Sequence, residues 1–229
     1  MSVEKRPFDR NHAALLVVDL QPDFMPGGKL PVPDGDQIVE PIRKLVDSAI
    51  FDVIVATQDW HPRNHVSFAV NHPGYKPMDR IELYGHEQVL WPAHCVQGTA
   101  GAALDPRVDW NRVSAIIRKA TDPGTDSYSG LRNNWNPAGA RPATGLSGYL
   151  KNRGVHSLFI CGLARDYCVK WTAEDAVDDG FRVWVLWDLS RAIEPSSDSE
   201  VRTGLEQRGV RIINASELYD SNVAKVSSQ

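Results

Sequence analysis

Cys168, Asp19 and Lys119 each stand where an apolar run of this chain gives way to a loop, and Asp59 and His61 flank a fourth such boundary. Cys168 lies in Phe159-Ile-Cys-Gly-Leu-Ala-Arg-Asp-Tyr-Cys-Val-Lys-Trp-Thr-Ala-Glu-Asp-Ala-Val177, which reads as a buried strand, a turn at Gly162 and a helix. Asp166 suits the helix N-cap, so Cys168 falls in the first helical turn, near unpaired backbone N–H groups. The positive end of a helix stabilises a thiolate, and the spacing therefore predicts a lowered thiol pKa and a nucleophile. In an open parallel sheet, ligands gather outside the carboxyl ends of the strands. Asp19 at one such end could take the thiol proton, with Lys119 at another holding the carboxylate ionised. The plainer alternative is a rim salt bridge between Asp19 and Lys119 beside a small buried cysteine. Three residues of complementary type at three strand ends favour the catalytic arrangement.

Asp59 and His61 are two apart, so on extended backbone both side chains leave the same face and can share a metal. Zinc, manganese and iron all accept such ligands. A third ligand is available from His65, His72, His86 or His94. His61 and His65 have half the spacing of a zinc-protease helix, but Pro62 and the missing glutamate argue against that reading. Phe24, Trp91 and Tyr128 fall in the loops around these strand ends, where they either wall a flat apolar pocket or pack the loops. Cys161 lies inside a strand as a small core residue, and nothing singles out Cys95.

The elements that must position these residues alternate. Strands are predicted over 12–20, 52–58, 113–119, 156–161, 181–187 and 210–213. Helices are predicted over about 36–49, from 144 or 147 to near 154, over 166–179 and over 196–208. Nearly continuous apolar runs such as His12–Leu20 suit a parallel sheet buried on both faces, and the alternation implies helices on either side. The expectation is one domain, 1–229, of three α/β/α layers around a six-stranded, mostly parallel sheet. No G-x-G-x-x-G follows the first strand, which disfavours a dinucleotide cradle. The segment 62–108 has little periodicity and reads as a long site-building loop. The tail 214–229 reads as polar and partly mobile.

With 229 residues, 42% hydrophobic and 24% charged, the composition is that of a soluble globular domain. A net charge of −4 gives no reason to expect nucleic acid or an anionic membrane as partner. No apolar run reaches the length of a membrane span, and the N-terminus lacks the apolar core of a secretory signal. Three cysteines without a C-x-x-C pair suit a reducing compartment, with the cytosol as the expected location. A sheet of this type is compatible with a monomer or a homo-oligomer.

Several blocks carry a resemblance. They are Leu16-Val-Val-Asp-Leu-Gln-Pro-Asp-Phe24, Thr57-Gln-Asp-Trp-His-Pro-Arg-Asn-His-Val-Ser-Phe68, Trp91-Pro-Ala-His-Cys-Val-Gln-Gly-Thr99, Lys119 with Asp126-Ser-Tyr-Ser129, and Gly162-Leu-Ala-Arg-Asp-Tyr-Cys-Val169 followed by Thr172-Ala-Glu-Asp-Ala176. In this order they resemble the nicotinamidases, also called pyrazinamidases, of the isochorismatase-like cysteine hydrolase superfamily. The resemblance implies that topology, a catalytic triad of Asp19, Lys119 and Cys168, and a divalent metal, zinc foremost, on Asp59, His61 and His94. His65 matches a position that is a ligand in some members only. It further implies Phe24 and Trp91 as walls of a nicotinamide pocket with Tyr128 nearby, and a cis Leu163–Ala164 bond. That bond would aim the amides of Ala164 and Cys168 at the substrate oxygen. The implied reaction is hydrolysis of nicotinamide to nicotinate and ammonia through a cysteine thioester, within NAD salvage, with pyrazinamide as a second substrate. Two positions depart from the pattern: Arg165 stands where threonine is usual, and Ala120 where glycine commonly follows the lysine. The rival readings are an amidase of carbamoyl or ureido substrates, a zinc hydrolase using metal-bound water, and a non-catalytic binding module.

Overall fold

The computed structural model describes residues 12–219. The segment before residue 12 and most of the tail read above as mobile lie outside them. The tail's described part closes in a short 3-10 turn, Ala215–Tyr219, that buries Leu218. The strands are β1 (Ala13–Val18), β2 (Val53–Asp59), β3 (Arg80–Leu83), β4 (His86–Val89), β5 (Ala115–Lys119), β6 (Ser157–Leu163), β7 (Arg182–Arg191) and β8 (Arg211–Ile213). The α-helices are α1 (Val39–Asp47), α2 (Leu146–Asn152), α3 (Lys170–Asp178) and α4 (Asp198–Gln207).

Six strands form one sheet in the order β5-β2-β1-β6-β7-β8, and every neighbouring pair in it is parallel. The chain starts at the centre, winds outward through β2 and β5, then returns to add β6, β7 and β8 on the other side. This is the doubly wound order, whose ligand crevice opens where the winding reverses, here between β1 and β6. Every residue of β1, β2 and β6 is buried, as expected when both faces of a sheet are covered. Edge strand β5 alternates instead until Lys119, its buried last residue. Helix α1 shows why its sequence folds as it does: Val39, Ile42, Leu45 and Val46 fall on one buried face. Pro41 sits in its first turn, where a missing N–H costs nothing, and the predicted start at Asp36 is a 3-10 turn, Gly35–Ile38.

The segment 62–108 is not structureless. It contains the antiparallel hairpin β3–β4, closed by Tyr84 and Gly85 with φ of 52° and 81°. Both central residues being left-handed is the geometry that two-residue hairpins favour. Without Asn-Gly at the turn, the sequence carried little sign of it.

Candidate active site

Four adjacent strand ends bring the predicted residues together. Asp59 and Lys119 are the last paired residues of β2 and β5. Asp19 follows β1 directly, in the left-handed region at φ 45°. Val18 pairs with Gly162 across β1 and β6, and the turn from Gly162 carries Cys168. A Cβ on Gly162 would come within 2.0 Å of the Val18 carbonyl oxygen, so glycine is what lets the two strand ends approach. Gln21 stitches β1 to β2: its side chain accepts from Asp59 N–H at 2.8 Å and donates to the carbonyls of Asp59 and Ala102, both at 2.9 Å.

Lys119 is fully buried at the centre. Its Nζ lies 2.9 Å from Asp19 Oδ2, donates to the Ser127 carbonyl at 2.9 Å and to Cys168 Sγ at 3.4 Å, and also bonds Asp59 Oδ1. Asp19 Oδ1 accepts from the Thr57 hydroxyl at 2.7 Å, whereas Oδ2 has no aligned hydrogen-bond donor. Asp19, Asp59 and Cys168 offer atoms within 4.8 Å of one another. Burial raises the Asp19 carboxyl to about 6, against the pull of Lys119 and with the help of Asp59. Burial acts the same way on Asp59, but Lys119, His61 and His94 outweigh it and hold that carboxylate well below the usual range. For Lys119, the two carboxylates overcome burial and push the ammonium well above its ordinary value.

Two expectations for the nucleophile are corrected. Asp166 caps no helix: its carboxylate accepts from the backbone N–H groups of Ile193 and Glu194, at 3.0 and 2.9 Å. Cys168 lies in a π-turn, Arg165–Val169, that precedes α3. Burial then pushes its thiol well above the usual range, with Lys119 only partly opposing. A helix end seen in sequence suggested a depressed pKa, and the loss of water at the site reverses the sign. The Leu163–Ala164 bond is cis, as the resemblance implied.

Asp59, His61 and His94 form one buried group able to hold a divalent ion, with ligand atoms within 4.8 Å of one another. His94 Nδ1 lies 2.8 Å from the Pro92 carbonyl, a contact that fixes the ring and leaves Nε2 for a ligand, 3.7 Å from Asp59 Oδ2. His61 Nδ1 is buried without a hydrogen-bond partner. A buried imidazole nitrogen left unpaired, beside a carboxylate held ionised, fits a metal. His65 is tied up on both nitrogens, by Ser67 Oγ at 2.8 Å and the Thr125 carbonyl at 3.3 Å.

Asp126 was missed in the sequence. It stands 3.8 Å from His61 Nε2 and accepts from Gln88 Nε2 and its neighbour Ser127 N–H. Against the cost of burial, His61, His65 and the Ser127 amide hold it at about 2. Its place in a loop, away from any strand end, gave no signal except membership of the block around Tyr128.

The pocket that Cys168 lines has about 330 Å³ of empty space including its mouth, and is also lined by Phe24, Trp91, Tyr128, Tyr167, Ala164 and Ile193, with Asp59, His61 and His94 contributing to its wall. Trp91 meets Tyr167 edge-on at 4.8 Å and donates its indole N–H to the Tyr128 hydroxyl at 3.2 Å. Tyr167 and Ile193 are walls that no sequence pattern had indicated. Arg165 does not face this pocket, whereas Ala120 takes the left-handed φ of 54° that explains glycine's frequency there.

A doubly wound sheet with cysteine, aspartate and lysine converging at its carboxyl edge, beside a histidine–aspartate metal group, defines a hydrolase-type site. The isochorismatase domain model matches residues 13–217. The chain belongs to the isochorismatase family. It is 47% identical to a nicotinamidase of Acinetobacter baylyi over 84% of this chain and 87% of that protein. Among solved structures, an Acinetobacter baumanii nicotinamidase/pyrazinamidase superposes with a TM-score of 0.86 at 42% identity, covering 92% of this chain and all of that one. Yeast nicotinamidase bound to the inhibitor nicotinaldehyde gives 0.82 at 30% identity over 88% and 99%. A zinc complex of Pyrococcus horikoshii pyrazinamidase gives 0.72 at 37% identity over 89% and 99%.

Proposed function

We propose that this chain is a nicotinamidase, hydrolysing nicotinamide to nicotinate and ammonia, and that it deamidates pyrazinamide by the same route. The observation that carries the reading is the shared ammonium of Lys119, which holds Asp19 and Cys168 together beside a pocket lined by Phe24, Trp91 and Tyr128. Asp19, ionised above about pH 6, is the base. The Cys168 thiol is protonated at rest, so proton transfer to Asp19 and attack of sulfur on the carboxamide carbon belong to one event. Lys119 stabilises the sulfur's developing charge. The amides of Ala164 and Cys168 receive the charge on the substrate oxygen, each such donor being worth roughly 3–4 kcal/mol. Protonated Asp19 then gives its proton to the departing ammonia and, ionised again, draws one from the water that cleaves the thioester.

Phe24 and Trp91 hold the ring between them, with Tyr128 behind Trp91. Asp59, His61 and His94 would hold a divalent ion, zinc in this reading, which when bound supplies a Lewis-acidic anchor for the ring nitrogen. The metal group separates this reading from an amidase of carbamoyl substrates. Three unpaired cysteines, all buried, support a cytosolic location. The test is ammonia and nicotinate release from nicotinamide, with and without chelator. Stoichiometric release that chelation suppresses supports the reading; release from ureido substrates alone, or none from nicotinamide, refutes it.

A further inference from the structure

Arg165, one of the two residues that depart from the family pattern, makes contacts in the fold that a threonine could not make. Its side chain is buried and every contact it makes points away from the pocket. Nε donates to Ser190 Oγ at 3.0 Å, and one terminal nitrogen donates to the Trp187 carbonyl at 2.8 Å and to the Ser190 carbonyl. The other meets Asp198 Oδ2, at the start of α4, at 2.5 Å, and the guanidinium lies 4.0 Å over the Trp187 ring.

These acceptors exist because β7 is irregular. Between the pairs Ile160–Val185 and Gly162–Ser190, β6 advances two residues while β7 advances five. A bulge of that kind leaves carbonyls without ladder partners that side chains must satisfy, and Ser190 Oγ, at 3.3 Å from the Trp187 carbonyl, and Arg191, at 2.8 Å from the Ser190 carbonyl, share that task with Arg165. A planar guanidinium with five donors can satisfy several at once, and no shorter side chain can. The backbone that carries this side chain is the turn between Ala164 and Cys168. The same turn is held from its other side by Asp166, which accepts from the N–H groups of Ile193 and Glu194.

We infer that Arg165 is a positioning residue: by plugging the β7 bulge it fixes the turn that presents the Ala164 amide and the Cys168 nucleophile to the substrate. The inference rests on the proposed amidase reading for its kinetic consequence, but not for its structural one. Misplacement of a reacting group by a fraction of an ångström slows chemistry far more than it weakens binding of a ring held by other residues.

The experiment compares wild type with Arg165→Ala and the milder Arg165→Lys, counting active sites by alkylation at Cys168. The alanine variant should lose about tenfold or more in kcat per active site, with KM for nicotinamide within about twofold. Binding of nicotinaldehyde, which captures the thiol and places an oxygen where charge develops, should weaken in parallel with kcat. Lysine should give an intermediate loss, and added methylguanidine should partly restore the alanine variant. Amide hydrogen exchange should rise in 163–169 and 187–191 and be unchanged in β1 and β2. A variant that only melts lower, with kcat per site and aldehyde affinity intact, overturns the inference. If the wild type does not turn over nicotinamide, the amidase reading fails while the exchange pattern still decides the clamp; unaltered exchange in 163–169 refutes it.

Discussion

Lys119 and Asp59 face each other as the final pair of the β2–β5 ladder, and the lysine's ammonium bonds the aspartate's carboxylate as well as approaching Asp19 at 2.9 Å. One buried cation thus joins Asp19, the proposed base, to the Asp59–His61–His94 group proposed to hold a metal. It also sets the two carboxylates apart: Asp59 is held ionised, while Asp19 is left near the pH at which a base is useful.

Replacing Lys119 by methionine leaves two buried carboxylates facing each other with no cation. Breaking a buried ion pair from one side costs about 3–5 kcal/mol. The Asp19 pKa should also rise above its present value of about 6. Thermal melts and pH–rate profiles check this; a variant with wild-type stability and an unmoved acid limb would contradict the shared-cation account.

As the proposed base, Asp19 must be ionised to act, so kcat/KM should be flat above about pH 6 and fall tenfold per unit below it. The stability effect has the opposite sense. A carboxyl raised from 3.8 to about 6 by folding favours the folded state below the lower value, and that advantage is lost as pH rises through the upper one. Burial of His61 and His65 gives both proteins the opposite slope, so the loss should appear in the difference in unfolding free energy between wild type and Asp19→Asn, measured in denaturant between pH 4 and 7.

Removing Asp59 with alanine takes away both a proposed metal ligand and the partner of Lys119. Metal content should fall and KM for nicotinamide rise strongly, as should follow from chelation of the wild type. Full metal occupancy in the variant, measured by elemental analysis, would exclude Asp59 from the ligand set.

At Gly162, the left-handed φ of 111° and the backbone of Val18 leave no room for a methyl group. Gly162→Ala should destabilise by roughly 3 kcal/mol or more, because neither strand can move without breaking the β1–β6 ladder. A denaturation midpoint within error of wild type would mean that the two strand ends are not held this close.

Asp19, Lys119 and Asp59 could be read from the sequence because apolar runs mark strands, and a charge at the end of a buried parallel strand has few other places to be. The parallel sheet covered on both faces followed from the same alternation, whereas the order of its strands did not. The failures share a cause, which is that burial and loop-to-loop contacts leave no periodic trace. Asp166 looked like a cap because it precedes a helix, but the nearer donors are those of Ile193 and Glu194, from another loop. The thiol of Cys168 was assigned the field of a helix end without the desolvation that outweighs it. Asp126 and Tyr167 enter the site from loop and turn positions that pattern reading cannot orient, and the hairpin at Tyr84-Gly85 hides behind an uncommon turn pair.

Cys168, the proposed nucleophile, should carry the acyl group during turnover. Acid-quenched turnover of nicotinamide, followed by intact-protein and peptide mass spectrometry, detects that species. A nicotinoyl adduct should appear on the peptide bearing Cys168, and in Cys168→Ala neither adduct nor ammonia should form although nicotinamide still binds. Undiminished ammonia release by that variant would contradict that role.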